Sequence, residues 1–243
     1  MDLTEKTSNQ HRHPWELSRA QNILALIATL PRGASYVDIG AGDCFFATLL
    51  AEQTNAQVTA VDNGFEEGVG SLGNVQRLHD LALLADSSAD CLVMMDVLEH
   101  VPNEKEFLDM ALSKLKPNGY LVLTVPAMQF LFSSHDVFLK HYRRYEHSQL
   151  TKVLRASNLQ IYKSHYFYAS LFWARSLACA IEFTKPQKVV ESEGIGAWKY
   201  AEQHLVTRII RAILNFDFAL LAALNRFGIR LPGLSLLAIC QKK

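Results

Sequence analysis

The apolar positions first recur with a helical period and then gather into short dense runs. Leu17, Ile23, Leu24, Ile27 and Leu30 share one face of a helix expected from Pro14 to Leu30, which Pro31-Arg32-Gly33 ends. Runs at Ser35 to Ile39, Gln57 to Val61, Asn74 to Leu78, Asp90 to Met95 and Tyr120 to Val125 read as buried strands. Phe45 to Glu52 and Glu104 to Leu115 read as helices between them, and Pro117-Asn118-Gly119 is a turn that sets the start of the fifth strand. This alternation predicts an α/β fold, a mostly parallel sheet with helices on both faces.

After Val125 the pattern changes. Residues Pro126 to His147 are rich in aromatic, His and Arg side chains without a clean period, as in a long loop over the carboxyl edge of the sheet. Ser148 to Ala156 reads as a helix and Leu159 to Tyr168 as a strand. Ala169 to Arg230 is helical and apolar with a polar break at Lys185 to Glu193, and Leu234 to Cys240 reads as a last strand. The expected organisation is therefore a core over residues 1–168, a helical insertion or lid over 169–233 and a closing strand over 234–243.

Composition narrows the function. With 49% hydrophobic and 20% charged residues and a net charge of +0, the chain has no bias toward a polyanion, which argues against nucleic acid. Cys44, Cys91, Cys179 and Cys240 are far apart and form no CxxC pair, so neither a metal site nor a disulfide framework is expected. The polar N-terminus, MDLTEKTSNQHRHPWE, lacks an apolar secretory core, so a cytoplasmic location is expected. Two later stretches raise the membrane question. Tyr166 to Phe183 is broken by Arg175 and Glu182, and Leu205 to Leu224 by Arg208, Arg211 and Asp217, which disfavours spanning at each charge.

Candidate chemistry begins at YVDIGAGDCFF, residues 36–46. Gly40 and Gly42 stand where a first strand hands over to a helix, the place at which an open α/β sheet lets backbone approach a nucleotide. A dinucleotide fingerprint would need a small residue where Phe45 stands, and no Gly-Lys-Ser/Thr follows to make a phosphate loop. Asp38 precedes the glycines and Asp62 ends the second strand, where its carboxylate can accept both ribose hydroxyls. A nucleoside cofactor without a pyrophosphate, S-adenosyl-L-methionine, fits this set better than NAD.

Taken in order, VDIGAGDCFF, AVDNGF, ADCLVMMDVLEHV and KLKPNGYLVLTVP resemble the motifs of class I S-adenosylmethionine-dependent methyltransferases, in particular the type 11/12-like group with a VLEH signature. The resemblance covers residues 14–168. It implies a Rossmann-like seven-stranded, mostly parallel sheet whose last strand is antiparallel. It also implies that Asp38, Gly40, Ala41 and Gly42 line the methionine end of the cofactor, that Asp62 with Asn63 holds the ribose, and that Asp80 and Leu81 meet the adenine. Asp96, Glu99 and His100 would stand around the methionine and the transferable methyl, and Trp15 and Glu16 would close over the cofactor. Cys44 departs from the pattern at the third glycine, and is read as a small residue tolerated at a helix start.

The acceptor side is expected in SSHDVFLKHYRRYEHS. His135 and His141 are candidate bases, joined by His100, and Asp136 can orient one of them. Arg143 and Arg144, with Tyr142, are candidate acceptor contacts, able to meet a carboxylate or phosphate. A small-molecule or lipid-linked acceptor methylated at oxygen is expected. This loop and the insertion also bear a likeness to bacterial methyltransferases of envelope polysaccharide, lipid or aryl-polyene pathways. Between Leu205 and Leu224 the apolar residues recur at helical spacing, which suits a lid over an acceptor pocket, a homodimer face or a peripheral contact with the inner face of a membrane. A non-catalytic binding or scaffold protein on the same fold is the rival reading.

Overall fold

The computed structural model describes residues 11–66, 70–184 and 198–243, so the expected polar break at Lys185 to Glu193 and the first ten residues lie outside the described residues. A helix α1 (Pro14–Ile27) leads into β1 (Ser35–Ile39), α2 (Phe45–Thr54), β2 (Gln57–Val61), β3 (Ser71–Leu72) and β4 (Val75–Leu78). Then come β5 (Ala89–Met95), α3 (Glu104–Lys114), β6 (Leu115–Pro126), α4 (Ser134–Phe138), α5 (His147–Ala156), β7 (Leu159–Phe167), α6 (Ala169–Thr184), α7 (Leu205–Arg226) and β8 (Ser235–Lys242).

The strands form one sheet in the order β3-β4-β2-β1-β5-β6-β8-β7. The run from β4 to β6 is parallel, and β8 inserts antiparallel to both β6 and β7. The seven expected strands are all present, and the two-residue β3 adds an antiparallel edge beside β4. The chain moves outward from β1 through β2 to β4 and then crosses back to β5. That reversal puts a crevice at the carboxyl ends of β1 and β5, the ligand position of an open α/β sheet.

Burial on both faces explains why the central strands read as solid apolar runs. Along β5, Cys91, Val93 and Met95 pack on one face with Leu50, Phe167 and Phe218, while Leu92 and Met94 pack on the other with Leu108, Leu121 and Leu150. The expected start of the fifth strand at Tyr120 is corrected: β6 begins at Leu115, and its register with β5 shifts between Ala89↔Leu115 and Cys91↔Tyr120. Pro117-Asn118-Gly119 makes this bulge, with Asn118 at φ 61°. The leading helix stops at Ile27, short of Leu30.

The expected loop from Pro126 to His147 is partly ordered into a 3-10 turn at Gln129–Leu131 and the short helix α4. α7 lies against α1 and β7, and hydrogen bonds hold it there: Ser18 Oγ donates to Asn215 Oδ1 at 2.7 Å and Asn22 Nδ2 donates to the same oxygen at 2.9 Å. Asp217, a charge that interrupts the apolar run, is buried and accepts the Ala169 and Ser170 N–H groups at the start of α6, at 3.1 and 2.7 Å. Among the described residues no helix is long and apolar enough to cross a membrane.

Candidate active site

The turn after β1 is shaped by hydrogen bonds that converge on its glycines. Gly40 N–H donates to the Val61 carbonyl at 2.8 Å, and Gly42 N–H donates to Asp62 Oδ2 at 2.7 Å. Gly40 has φ +72°, and a Cβ there would stand 2.6 Å from Val97 Cγ2, so only glycine fits between the turn and the segment after β5. Asp62 Oδ1 accepts the Gly64 N–H at 2.8 Å, which leaves lone pairs on both carboxylate oxygens for ribose hydroxyls. Asn63 is exposed beside it.

Cys44 occupies a left-handed conformation, φ 64°, at the start of α2, the geometry that would favour glycine. Its side chain points away from the cleft and into the core, where burial raises the thiol pKa. Phe45 faces the cleft instead, with the Arg12 guanidinium 3.7 Å from its ring centre. Asp80 is exposed and caps the 3-10 turn Leu81–Leu83 by accepting the Ala82 N–H at 2.8 Å, while Leu81 is buried.

The cleft walls include Arg12, Glu16, Arg19, Asp38, Gly40, Ala41 and Met95. Asp38 is buried, its Oδ2 has no hydrogen-bond partner among the described residues, and burial pushes its carboxyl up to about 7. Arg19 crosses the cleft to pair with Asp96 and lies 4.1 Å from the Trp15 ring centre. Glu16 completes a capping box with His13 and pairs with Arg12 at 3.3 Å, and Arg12 also pairs with Asp43. Sequence reasoning reached Trp15 and Glu16 but missed Arg12 and Arg19. Their signal is spacing: Arg12, Glu16 and Arg19 are four and three residues apart, on one face of α1 and its lead-in.

These groups fit the ends of S-adenosyl-L-methionine. Arg19 suits its carboxylate, buried Asp38 its ammonium, the Gly40 cradle the approach of its backbone-like end, and Asp62 its ribose.

At the end of β5 the chain turns through Asp96, which has φ 56° and accepts from Thr124 Oγ1 at 3.2 Å. Burial would raise the Asp96 carboxyl, but the Arg19 guanidinium, nearby His141 and the Thr124 hydrogen bond act with other positive charge to hold the group below the ordinary carboxylate range. Glu99, three residues on, is fully buried and neither of its oxygens has a hydrogen-bond partner among the described residues. Burial, reinforced by the charge on Asp96, raises its pKa well above the usual value.

The loop brings its histidine to this point. His141 and His100 meet edge to face, ring centres 4.6 Å apart, and ligand atoms of Glu99, His100 and His141 lie within 4.8 Å of one another. Asp136 Oδ1 lies 2.9 Å from His141 Nδ1. Asp136 is fully buried; burial opposes its ionisation, but the His141 hydrogen bond and the Arg144 guanidinium pull its carboxyl down to about 2. His135, on α4, is half-buried, and burial lowers its pKa.

Two acceptor expectations are corrected. Arg144 is not an anion receptor facing the cleft: it is buried, its Nε donates to Asp136 Oδ1 at 2.8 Å, and its remaining reach goes to the Ala127 carbonyl. Arg143 donates to Glu104 Oε2 and to the Pro102 carbonyl, each at 2.8 Å, so it ties the loop to the start of α3. Tyr142 has an exposed ring, and its N–H donates to the Glu99 carbonyl at 2.7 Å, which fixes the loop over the VLEH turn.

A methyltransferase-domain family matches residues 10–164. Among curated proteins, the ubiquinone biosynthesis O-methyltransferase of Xanthomonas axonopodis pv. citri is 34% identical over 105 residues, 39% of this chain and 44% of that protein. The matched part thus spans less than half the length of this relative. Solved structures share the fold at low identity. An S-adenosylmethionine-dependent methyltransferase from Archaeoglobus fulgidus superposes with a TM-score of 0.55 at 18% identity, covering 93% of this chain and 94% of that one. A second, from Mesorhizobium loti, gives 0.53 at 16% identity, covering 90% and 96%. The family match takes in more than half of the chain and contains the whole glycine turn after β1, so the protein belongs to the methyltransferase-domain family.

Proposed function

We propose that the protein methylates a hydroxyl oxygen of a small or lipophilic acceptor, with His141 taking the hydroxyl proton. The observation that carries this reading is the buried Asp136 at 2.9 Å from His141 Nδ1, which presents the imidazole beside Glu99 and His100 at the carboxyl edge of β5. When bound, S-adenosyl-L-methionine supplies an electrophilic methyl on a sulfonium, so the acceptor needs alignment and loss of a proton. An ionised Asp136 selects the tautomer with hydrogen on Nδ1, and Nε2 is then the basic atom. Burial favours the protonated form of Glu99, and in that form its O–H can hold an acceptor oxygen. His100 borders the same space, and Tyr142 offers an exposed aromatic rim.

An aryl hydroxyl, whose pKa is about 10 like that of tyrosine, is within reach of an imidazole base, whereas an aliphatic hydroxyl is far less acidic. The curated relatives named as ubiquinone biosynthesis O-methyltransferases support oxygen as the receiving atom. The test is incubation with S-adenosylmethionine carrying a labelled methyl and a panel of phenols, catechols, amines and carbon acids. Aryl O-methyl products are expected; products methylated only at nitrogen or carbon would overturn the reading.

A further inference from the structure

The helix α7 has two apolar faces, and a soluble packing helix needs only one. Its inner face, with Leu214, Phe218 and Leu221, is buried against the core. Its outer face carries Leu205, Ile209, Ile213, Phe216, Leu220 and Phe227, of which Phe216 is 70% and Phe227 82% exposed. The first five fall on a single stripe of a 22-residue helix, about 33 Å long at the usual rise, and Phe227 extends the stripe at the C-cap. An apolar stripe of that length held in water marks a binding surface.

Charge identifies the occupant. Arg208 and Arg226 are exposed along one border of the stripe and Arg211 is half-exposed beside them. The single acid of α7, Asp217, is buried as the cap of α6, so the outer face offers cations with no carboxylate among them. A second copy presenting this same helix would set arginines opposite no acid. An anionic bilayer supplies hydrocarbon for the stripe and phosphate for the arginines together. α6 exposes a similar series at helical spacing, Trp173, Leu177 and Ile181.

We infer that the outer face of α7 docks the protein onto an anionic lipid bilayer, with the helix lying in the headgroup plane. Through Asn215, which bonds Ser18 and Asn22, the docked helix would also anchor α1, the helix that carries Arg19 into the cofactor cleft. This inference does not depend on which atom is methylated.

The experiment is flotation of the full chain with phosphatidylcholine vesicles made with and without phosphatidylglycerol, at low and high salt. Binding is expected to the anionic vesicles and to weaken with salt. The double variant I209E/F216E should lose binding by more than about tenfold, because both charges enter the apolar stripe. R208Q and R226Q should each weaken it about fivefold. Unchanged thermal midpoints would show that the exposed substitutions leave the fold intact. Failure to float with phosphatidylglycerol vesicles, or binding that neither set of variants alters, would overturn the inference. A dimer seen by light scattering that F216E dissolves, without vesicle binding, would assign the face to a second copy instead.

Discussion

The two sides of the cleft handle charge in opposite ways. On the acceptor side the buried carboxylate of Asp136 is satisfied from within the protein, by Arg144, His141 and the Ser133 N–H at 3.0 Å. On the cofactor side Asp38 keeps an unpartnered buried oxygen, and Arg19 reaches over the cleft to Asp96. The acceptor side is thus preorganised before any ligand arrives, which is what a positioned base requires. On the cofactor side Asp38 keeps an oxygen whose matching charge the ligand itself can supply. Substitutions on the two sides should therefore separate turnover from binding.

The largest effect is expected from His141→Ala. Loss of a positioned base should lower kcat by about 100- to 10,000-fold, with S-adenosylmethionine affinity by calorimetry unchanged. Turnover that survives the change would move the base elsewhere, His135 being the next candidate, and would dissolve the proposed asymmetry. Arg19→Ala should do the reverse. Removing this cleft cation should weaken S-adenosylmethionine binding by about 10- to 100-fold, the range of a charge-assisted hydrogen bond. Equal affinity in wild type and variant would take Arg19 out of the cofactor site.

The smallest effect lies away from the cleft, on the edge strand β7, and serves as a control. His165 is buried on β7 against Phe218, Nε2 has no partner among the described residues, and burial lowers its pKa from 6.5 to about 4. Between those values the unfolded chain binds the proton and the folded chain does not, so stability falls as the pH drops. From pH 7 to pH 5 the loss should be about 2 kcal/mol, measured as a shift of the denaturant midpoint. His165→Gln should flatten that part of the profile; an unchanged slope would place the dependence on another histidine, such as the half-buried His147, whose pKa burial also lowers.

How much of the site could be read in the sequence follows the same division. Gly40, Gly42 and Asp62 lie within one βαβ unit, where chain order and local backbone geometry bring them together. The VLEH segment likewise follows β5 directly, so the pattern sets Asp96, Glu99 and His100 at the carboxyl edge of the sheet, and the family resemblance gives them their expected place around the methionine. Arg12 and Arg19 escaped notice because a cation at the start of an amphipathic helix reads as solvated surface; the docking of α1 over the β1 turn brings Arg12 to Asp43 and Arg19 to Asp96. Arg144 was misread for the converse reason. Two adjacent arginines look alike in sequence, but the backbone turns one into the protein against Asp136 and leaves the other at Glu104.

The sequence by itself determined the α/β alternation, the glycine turn, the acid at the end of β2 and the amphipathic character of α7. Each of these depends on residues close in the chain, through hydrophobic period, backbone freedom or motif order. Tertiary structure alone decided in which direction each buried carboxyl shifts, which histidine Asp136 grips, and that the outward face of α7 is an apolar one. Those properties arise from burial and from partners brought together across the fold: Arg19 to Asp96 over 77 residues, and Ser18 to Asn215 over 197. Desolvation and ion pairing at such distances set charge and exposure, and no local pattern encodes them.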